Sequence, residues 1–187
     1  MSAWPHPAPE DDGGADHLAP GLALPDIALV AAAGDRVNPS KLRGSAVLFI
    51  YPWTGRPGVA DPPGWDDIPG AHGSTPEALG FRDRYRDFQA LGIEIYGLST
   101  QSGEHLRELA ARLGVPFPLL SDEAFAFANA LRLPTFTAGA APYLKRLTLF
   151  VREGRIRHHF YPVHPPDTHA DEVLDWLAHR RSATASD

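Results

Sequence analysis

The spacing of apolar residues changes period several times along the chain, and each change predicts an element. Ala46-Val47-Leu48-Phe49-Ile50-Tyr51 is an unbroken apolar run that stops at Pro52, as a strand covered on both faces does. Ile93, Ile95 and Leu98 supply a second strand, and Phe117-Pro118-Leu119-Leu120 a short third. Ahead of them, Ile27, Leu29 and Val37 flank Ala33-Gly34-Asp35 and predict a hairpin. Helical spacing takes over between the strands. Ala78, Phe81, Tyr85 and Phe88 share one face and Arg82, Asp83, Arg86 and Asp87 another, predicting a helix from about Pro76 to Leu91 that Gly92 ends. Leu106, Leu109, Ala110 and Leu113 repeat that spacing up to Gly114, and Asp122 to Leu131 reads as a shorter helix. Leu147, Leu149 and Val151 then alternate with Arg146, Thr148 and Phe150, and Glu153-Gly154 turns the chain into Ile156 to Tyr161, a hairpin expected at a sheet edge. The last helix spans Thr168 to Arg181, with Thr168 as its cap, Asp171 in its first turn and Val173, Leu174 and Leu177 inside.

Strand and helix alternation ending in an antiparallel pair predicts an α/β domain of thioredoxin-like architecture: a mixed central sheet flanked by helices, with an N-terminal hairpin. One domain is expected over 22–181. Residues 1–21 are acidic, rich in proline and free of apolar period, and are read as a disordered arm; 182–187 are read as a flexible tail. The exceptional stretch is 52–73, with five prolines and five glycines in 22 positions. An insertion that long inside a compact domain is usually functional or disordered, and Trp53 and Trp65 argue that this one is packed down.

Composition narrows the chemistry. The 187 residues include no cysteine, which excludes disulfides, thiolate metal sites and thiol redox catalysis by this chain. The formal charge of −6 makes nucleic acid and anionic membranes poor partners, and no apolar run approaches a membrane span. The acidic, proline-punctuated start lacks a secretory pattern, so a cytoplasmic location is expected. His158, His159, His164 and His169 lie near Asp167 and Asp171 but match no zinc spacing, and neither a metal site nor a cofactor is expected.

Several segments carry a family resemblance covering roughly 24–180. Leu24-Pro25-Asp26-Ile27, Leu42-Arg43-Gly44, the strand ending Phe49-Ile50-Tyr51-Pro52, Thr75-x-Glu77 leading into Gly80-Phe81-Arg82-Asp83, and Lys145 to Phe150 with Gly154-Arg155-Ile156 resemble peroxiredoxins of the bacterioferritin-comigratory-protein type. In that family the helix opens with T-P-G-C-T-x-E-A-C. Here the stretch reads Ala71-His72-Gly73-Ser74-Thr75-Pro76-Glu77-Ala78-Leu79. The resemblance puts the peroxidatic cysteine at Ser74, the resolving cysteine at Leu79, the peroxide-holding threonine at Ala71 and the thiolate-supporting arginine at Arg146. Serine is a far weaker acid than a thiol and cannot form a sulfenic acid, so the family's reaction is not available to this sequence.

Each candidate residue has a functional and a structural reading. Ser74 is a nucleophile or polar pocket group with His72 as its base, or merely a cap: Ser74-x-x-Glu77 has capping-box spacing, and Thr75-Pro76 is an equally good helix start. Arg146 lies in the pocket beside Ser74, as the resemblance implies, or forms a structural salt bridge. Pro52, Trp53, Arg56, Trp65 and Thr75 are expected to bind substrate, or the tryptophans simply anchor the long loop. The leading expectation is a former peroxide pocket reused for a small organic ligand, or for a cofactor-independent reaction on an organic substrate. The alternatives are a redox-dead scaffold or regulatory partner, with a homodimer expected, and a thiol peroxidase whose cysteines have been substituted. Leu79 argues against the last, being an odd designed replacement for a cysteine.

Overall fold

Strand β3 (Ser45–Ile50) shows why its run is apolar without a break. Val47 and Phe49, with Tyr51 beyond the strand, face one core, whereas Leu48 and Ile50 face a second on the opposite side of the sheet. A computed structural model describes residues 4–184. It places β3 in a seven-stranded sheet of order β2-β1-β5-β4-β3-β8-β9, formed by β1 (Leu29–Ala31), β2 (Arg36–Val37), β4 (Ile93–Ser99), β5 (Leu119–Ser121), β8 (Leu147–Arg152) and β9 (Arg155–Phe160). β3, β4 and β5 run parallel, and both hairpins add antiparallel strands at the edges. This is the expected mixed, thioredoxin-like sheet.

The core facing Phe49 is closed by α1 (Ser74–Asp83), α2 (Tyr85–Ala90), α3 (Gly103–Leu113) and α5 (His169–Thr184), through Phe81, Phe88, Leu106, Leu109, Val173 and Leu177. Phe49 stacks on Phe81 with ring centroids 4.5 Å apart. The close fit needs Gly97 on β4, where a Cβ would stand 2.7 Å from both Phe49 and Leu119. The other core takes Phe127 and Leu131 from α4 (Ala126–Leu131) together with Ala15 and Leu18.

Those last two residues correct the expected disordered arm. Ala15 and Leu18 are buried, Asp12 bonds Lys145 and Tyr161, and Gly21 N–H bonds the Ile156 carbonyl. The arm's apolar content is too sparse to show a period, yet two well-placed side chains and a few polar ties hold it to the sheet. Other boundaries move for local reasons. The helix expected over 76–91 is divided at Arg84, whose guanidinium reaches Asp171 at 2.6 Å. α4 starts only at Ala126, and the Asp122 carboxylate reaches into its first turn to accept the Phe127 and Ala128 N–H groups. Thr168 belongs to a single 3-10 turn, Pro166–Thr168, that leads into α5. α5 runs through 182–184, part of the expected flexible tail; 185–187 lie outside the described residues. A second sheet of β6 (Thr135–Ala138) and β7 (Ala141–Leu144) has no expected counterpart. No helix among the described residues is long and apolar enough to cross a membrane.

Candidate functional site

Helix α1 starts at Ser74, the position the resemblance gives to the peroxidatic cysteine. Gly73 precedes it at φ 109°, with no room for a side chain: a Cβ there would meet Pro166 Cγ at 2.2 Å and Trp4 at 2.8 Å. Ser74 is the first helical residue and is 3% exposed. Its Oγ accepts a hydrogen bond from Arg146 Nη2 at 3.1 Å. The same nitrogen donates to the His72 carbonyl at 3.1 Å and the Ala71 carbonyl at 3.4 Å, so one guanidinium fixes both the approach to the helix and its first side chain.

The other arm of the guanidinium pairs with Glu77, which is buried. The capping-box reading is therefore corrected: Gly73 caps without a side-chain bond, and Glu77 serves as the counter-ion of Arg146. The Thr75-Pro76 helix start is corrected as well, since both residues lie inside α1. Burial pushes the Glu77 carboxyl up, and Arg146 and then His169 pull against it. His169, also buried, sits 2.9 Å from Thr148 Oγ1 and 2.7 Å from Glu172. The floor of the site is thus a dry polar cluster with its charges paired.

Above this floor lies a cleft of about 260 Å³, bounded by Trp53, Trp65, His72, Ser74 and Thr75 and, from the arm, Trp4 and His6. Trp65 is 3% exposed and meets Trp53 at 5.6 Å and Tyr143 of β7 at 4.9 Å. It anchors the long loop against the unexpected hairpin and walls the cleft at once. His72 Nε2 is 2.8 Å from Asp66 Oδ1, and its ring stacks on His6 at 4.0 Å. No hydrogen bond joins it to Ser74 among the described residues, so the geometry does not supply the expected base.

Two expected substrate contacts are absent from the cleft. Arg56 pairs with Glu108 of α3 at 3.4 Å, and Pro52 is buried outside the lining. Nearby, the loop's stem is clasped by residues the sequence did not single out. Gln101 accepts from Thr54 N–H and Oγ1 at 2.9 Å each and donates to the Thr54 carbonyl at 3.0 Å. His105 Nε2 lies 2.9 Å from that carbonyl; burial and then the Arg56 charge hold its pKa below the ordinary value. Trp4, His6 and Asp66 were also missed. The spacing of Ser74 and Glu77 was visible in the sequence, but their actual partner lies some seventy residues away.

Chemically the site offers the Ser74 hydroxyl, the unbonded N–H groups of the first turn of α1 and an aromatic wall, with no thiol. A profile of the AhpC/TSA family matches residues 69–159, which include both Ser74 and Arg146. Peroxiredoxin Q, chloroplastic, of Sedum lineare is 29% identical over 158 residues, covering 84% of this chain and 76% of the relative. Peroxiredoxin Bcp of Escherichia coli K12 is 27% identical over 168 residues, covering 87% and 94%. Among solved structures, Peroxidoxin BcpB from Mycobacterium tuberculosis superposes with a TM-score of 0.70 at 25% identity, over 87% of this chain and 98% of that one. With Ser74 and Leu79 at the positions the resemblance gives to the two cysteines, the chain is a cysteine-free, peroxiredoxin-like protein, similar to the AhpC/TSA family over 69–159 and to peroxiredoxins of the Q and Bcp type over most of its length.

Proposed function

We propose that the cleft over α1 binds a small organic molecule through a carbonyl or carboxylate oxygen, and that binding rather than serine-based catalysis is its use. The observation that carries this is the state of Ser74. Its hydroxyl is held by Arg146 at the base of an aromatic cleft, with no base bonded to it. A serine so placed can donate its hydrogen to a ligand oxygen alongside the free amides of the helix start. Without a base to remove that hydrogen it is a poor nucleophile. Trp53, Trp65 and Trp4 supply apolar surface for the rest of the ligand.

The scaffold reading has less support. It calls for a contiguous apolar surface, and among the described residues the large apolar side chains left exposed are only Leu22, Val30 and Val59.

The test is a panel of small aromatic and aliphatic carboxylates with their matched amides and alcohols, titrated against the protein in the presence of a chelator. Melting temperature and tryptophan fluorescence are the readouts. Oxygen-bearing ligands should raise the melting temperature, and Ser74→Ala should weaken them. If no member of the panel moves either signal, or if Ser74→Ala binds as the wild type does, the reading is wrong.

A further inference from the structure

We propose that Asp61, Asp66 and His72 form a binding site for a first-row divalent metal ion at the rim of the cleft. Each offers one ligand atom, and the three atoms lie within 4.8 Å of one another. With metal–ligand bonds of about 2.0–2.2 Å, two tetrahedral ligand atoms stand about 3.4 Å apart, so the 2.8 Å His72–Asp66 contact would open slightly and the Asp61 carboxylate would adjust to meet the ion. The two aspartates can do this, being exposed side chains on a glycine- and proline-rich loop.

Three observations favour an ion over a simple Asp–His pair. Asp61 makes no hydrogen bond or ion pair among the described residues, although it stands beside a second carboxylate. Two carboxylates converging without a cation repel each other, and a divalent ion removes that repulsion. His72 is held through its ring face by His6, which leaves the ring edge, where the nitrogens lie, turned to the aspartates. Finally, Asp61 and His72 line the same cleft as Ser74, so an ion held by three protein ligands would present its open positions to whatever occupies that space.

Two carboxylate oxygens and one imidazole nitrogen suit zinc, manganese or cobalt better than magnesium, which favours an all-oxygen shell, or copper(I), which favours sulfur. Bound there, the ion pins the 53–73 loop to the start of α1. The proposal stands whether or not the cleft takes an organic molecule.

Cobalt(II) alone is the probe. The Trp65 ring centre is 6.5 Å from that of His72, so an ion at this site should quench tryptophan fluorescence, and zinc should compete the quenching away. Calorimetry with zinc gives an independent affinity. The double variant Asp61→Asn/Asp66→Asn keeps side-chain size at two exposed positions and should weaken binding by about tenfold or more, with circular dichroism unchanged. His72→Gln should do the same, and His179→Gln, on the exposed end of α5, should bind as the wild type. Absence of both quenching and heat overturns the proposal, as does equal affinity of the double variant and the wild type. The chelated organic panel is untouched by either result, so the two proposals fail separately.

Discussion

The floor and the rim of the cleft use charge in opposite ways. On the floor, Arg146 is 2% exposed, Glu77 is fully buried, and the pair is tied to Ser74 and to backbone carbonyls. At the rim, Asp66 is 87% exposed and His72 18%, their contact is open to solvent, and Asp61 stands beside them without a partner. A buried pair is costly to assemble and costlier to leave half made, whereas an exposed pair is weak and replaceable. The polar frame of Arg146, Glu77 and Ser74 is therefore bound into the structure whether or not it has a chemical task. The rim, with little stability at stake, is where new chemistry is cheapest to acquire.

Removing one floor partner tests this contrast most severely. Arg146→Ala or Glu77→Ala should cost about 3–5 kcal/mol in urea unfolding, because the remaining charge is stranded out of water. A loss below 1 kcal/mol would erase the distinction between floor and rim. Leu18→Ala, a fully buried residue of the arm, should cost about 2–5 kcal/mol. If the arm is instead dispensable, the loss will be negligible and Trp4 and His6 cease to matter to the cleft.

Ser74→Cys probes the floor's electrostatics without dismantling it. Arg146 and the helix start should bring the new thiol below its usual value of about 8.5, as read from thiolate absorbance against pH. A thiol titrating at or above the usual value would show that Glu77 cancels the guanidinium.

Acid stability offers a smaller effect. The pKa of His105 is depressed in the fold from an ordinary 6.5, by burial first and then by Arg56. Between the folded and unfolded values the unfolded chain binds more protons, so this contribution is complete above about 6.5 and is lost as the pH falls below it. His158 is depressed in the same direction, by burial and then by His159. His105→Asn should flatten the decline measured by denaturant titration from neutral pH downward, and an unchanged slope would place the proton uptake elsewhere. Least of all, Asp66→Asn should shift stability by no more than about 1 kcal/mol, as exposed pairs do.

The fold was largely legible because burial imposes period. The unbroken run at 46–51 and the stripe of Ala78, Phe81 and Phe88 correspond directly to β3 and to α1 with α2. The β6–β7 hairpin escaped because β6 alternates over only four residues, Thr135 to Ala138, and β7 contains Pro142, a residue that argues against a strand. The arm escaped because Ala15 and Leu18 are too few to show a period. At the site, Ser74 and Arg146 were identified and do meet, but Glu77 was read locally as a cap when its partner is Arg146, just before β8. His72 was assigned to Ser74, two residues on, yet the fold turns it to Asp66.

The sequence alone determined the absence of thiol chemistry, because that depends on one atom type that is missing, and it determined the layered α/β architecture, because apolar spacing records which faces are covered. Only the tertiary structure decided the pairing of Glu77, the placing of Trp4 and His6 over the cleft, and the convergence of Asp61, Asp66 and His72. Side-chain partners of a charge are chosen in space, by whichever opposite charge or donor the packed chain brings within reach, and separation along the chain carries almost no information about that choice.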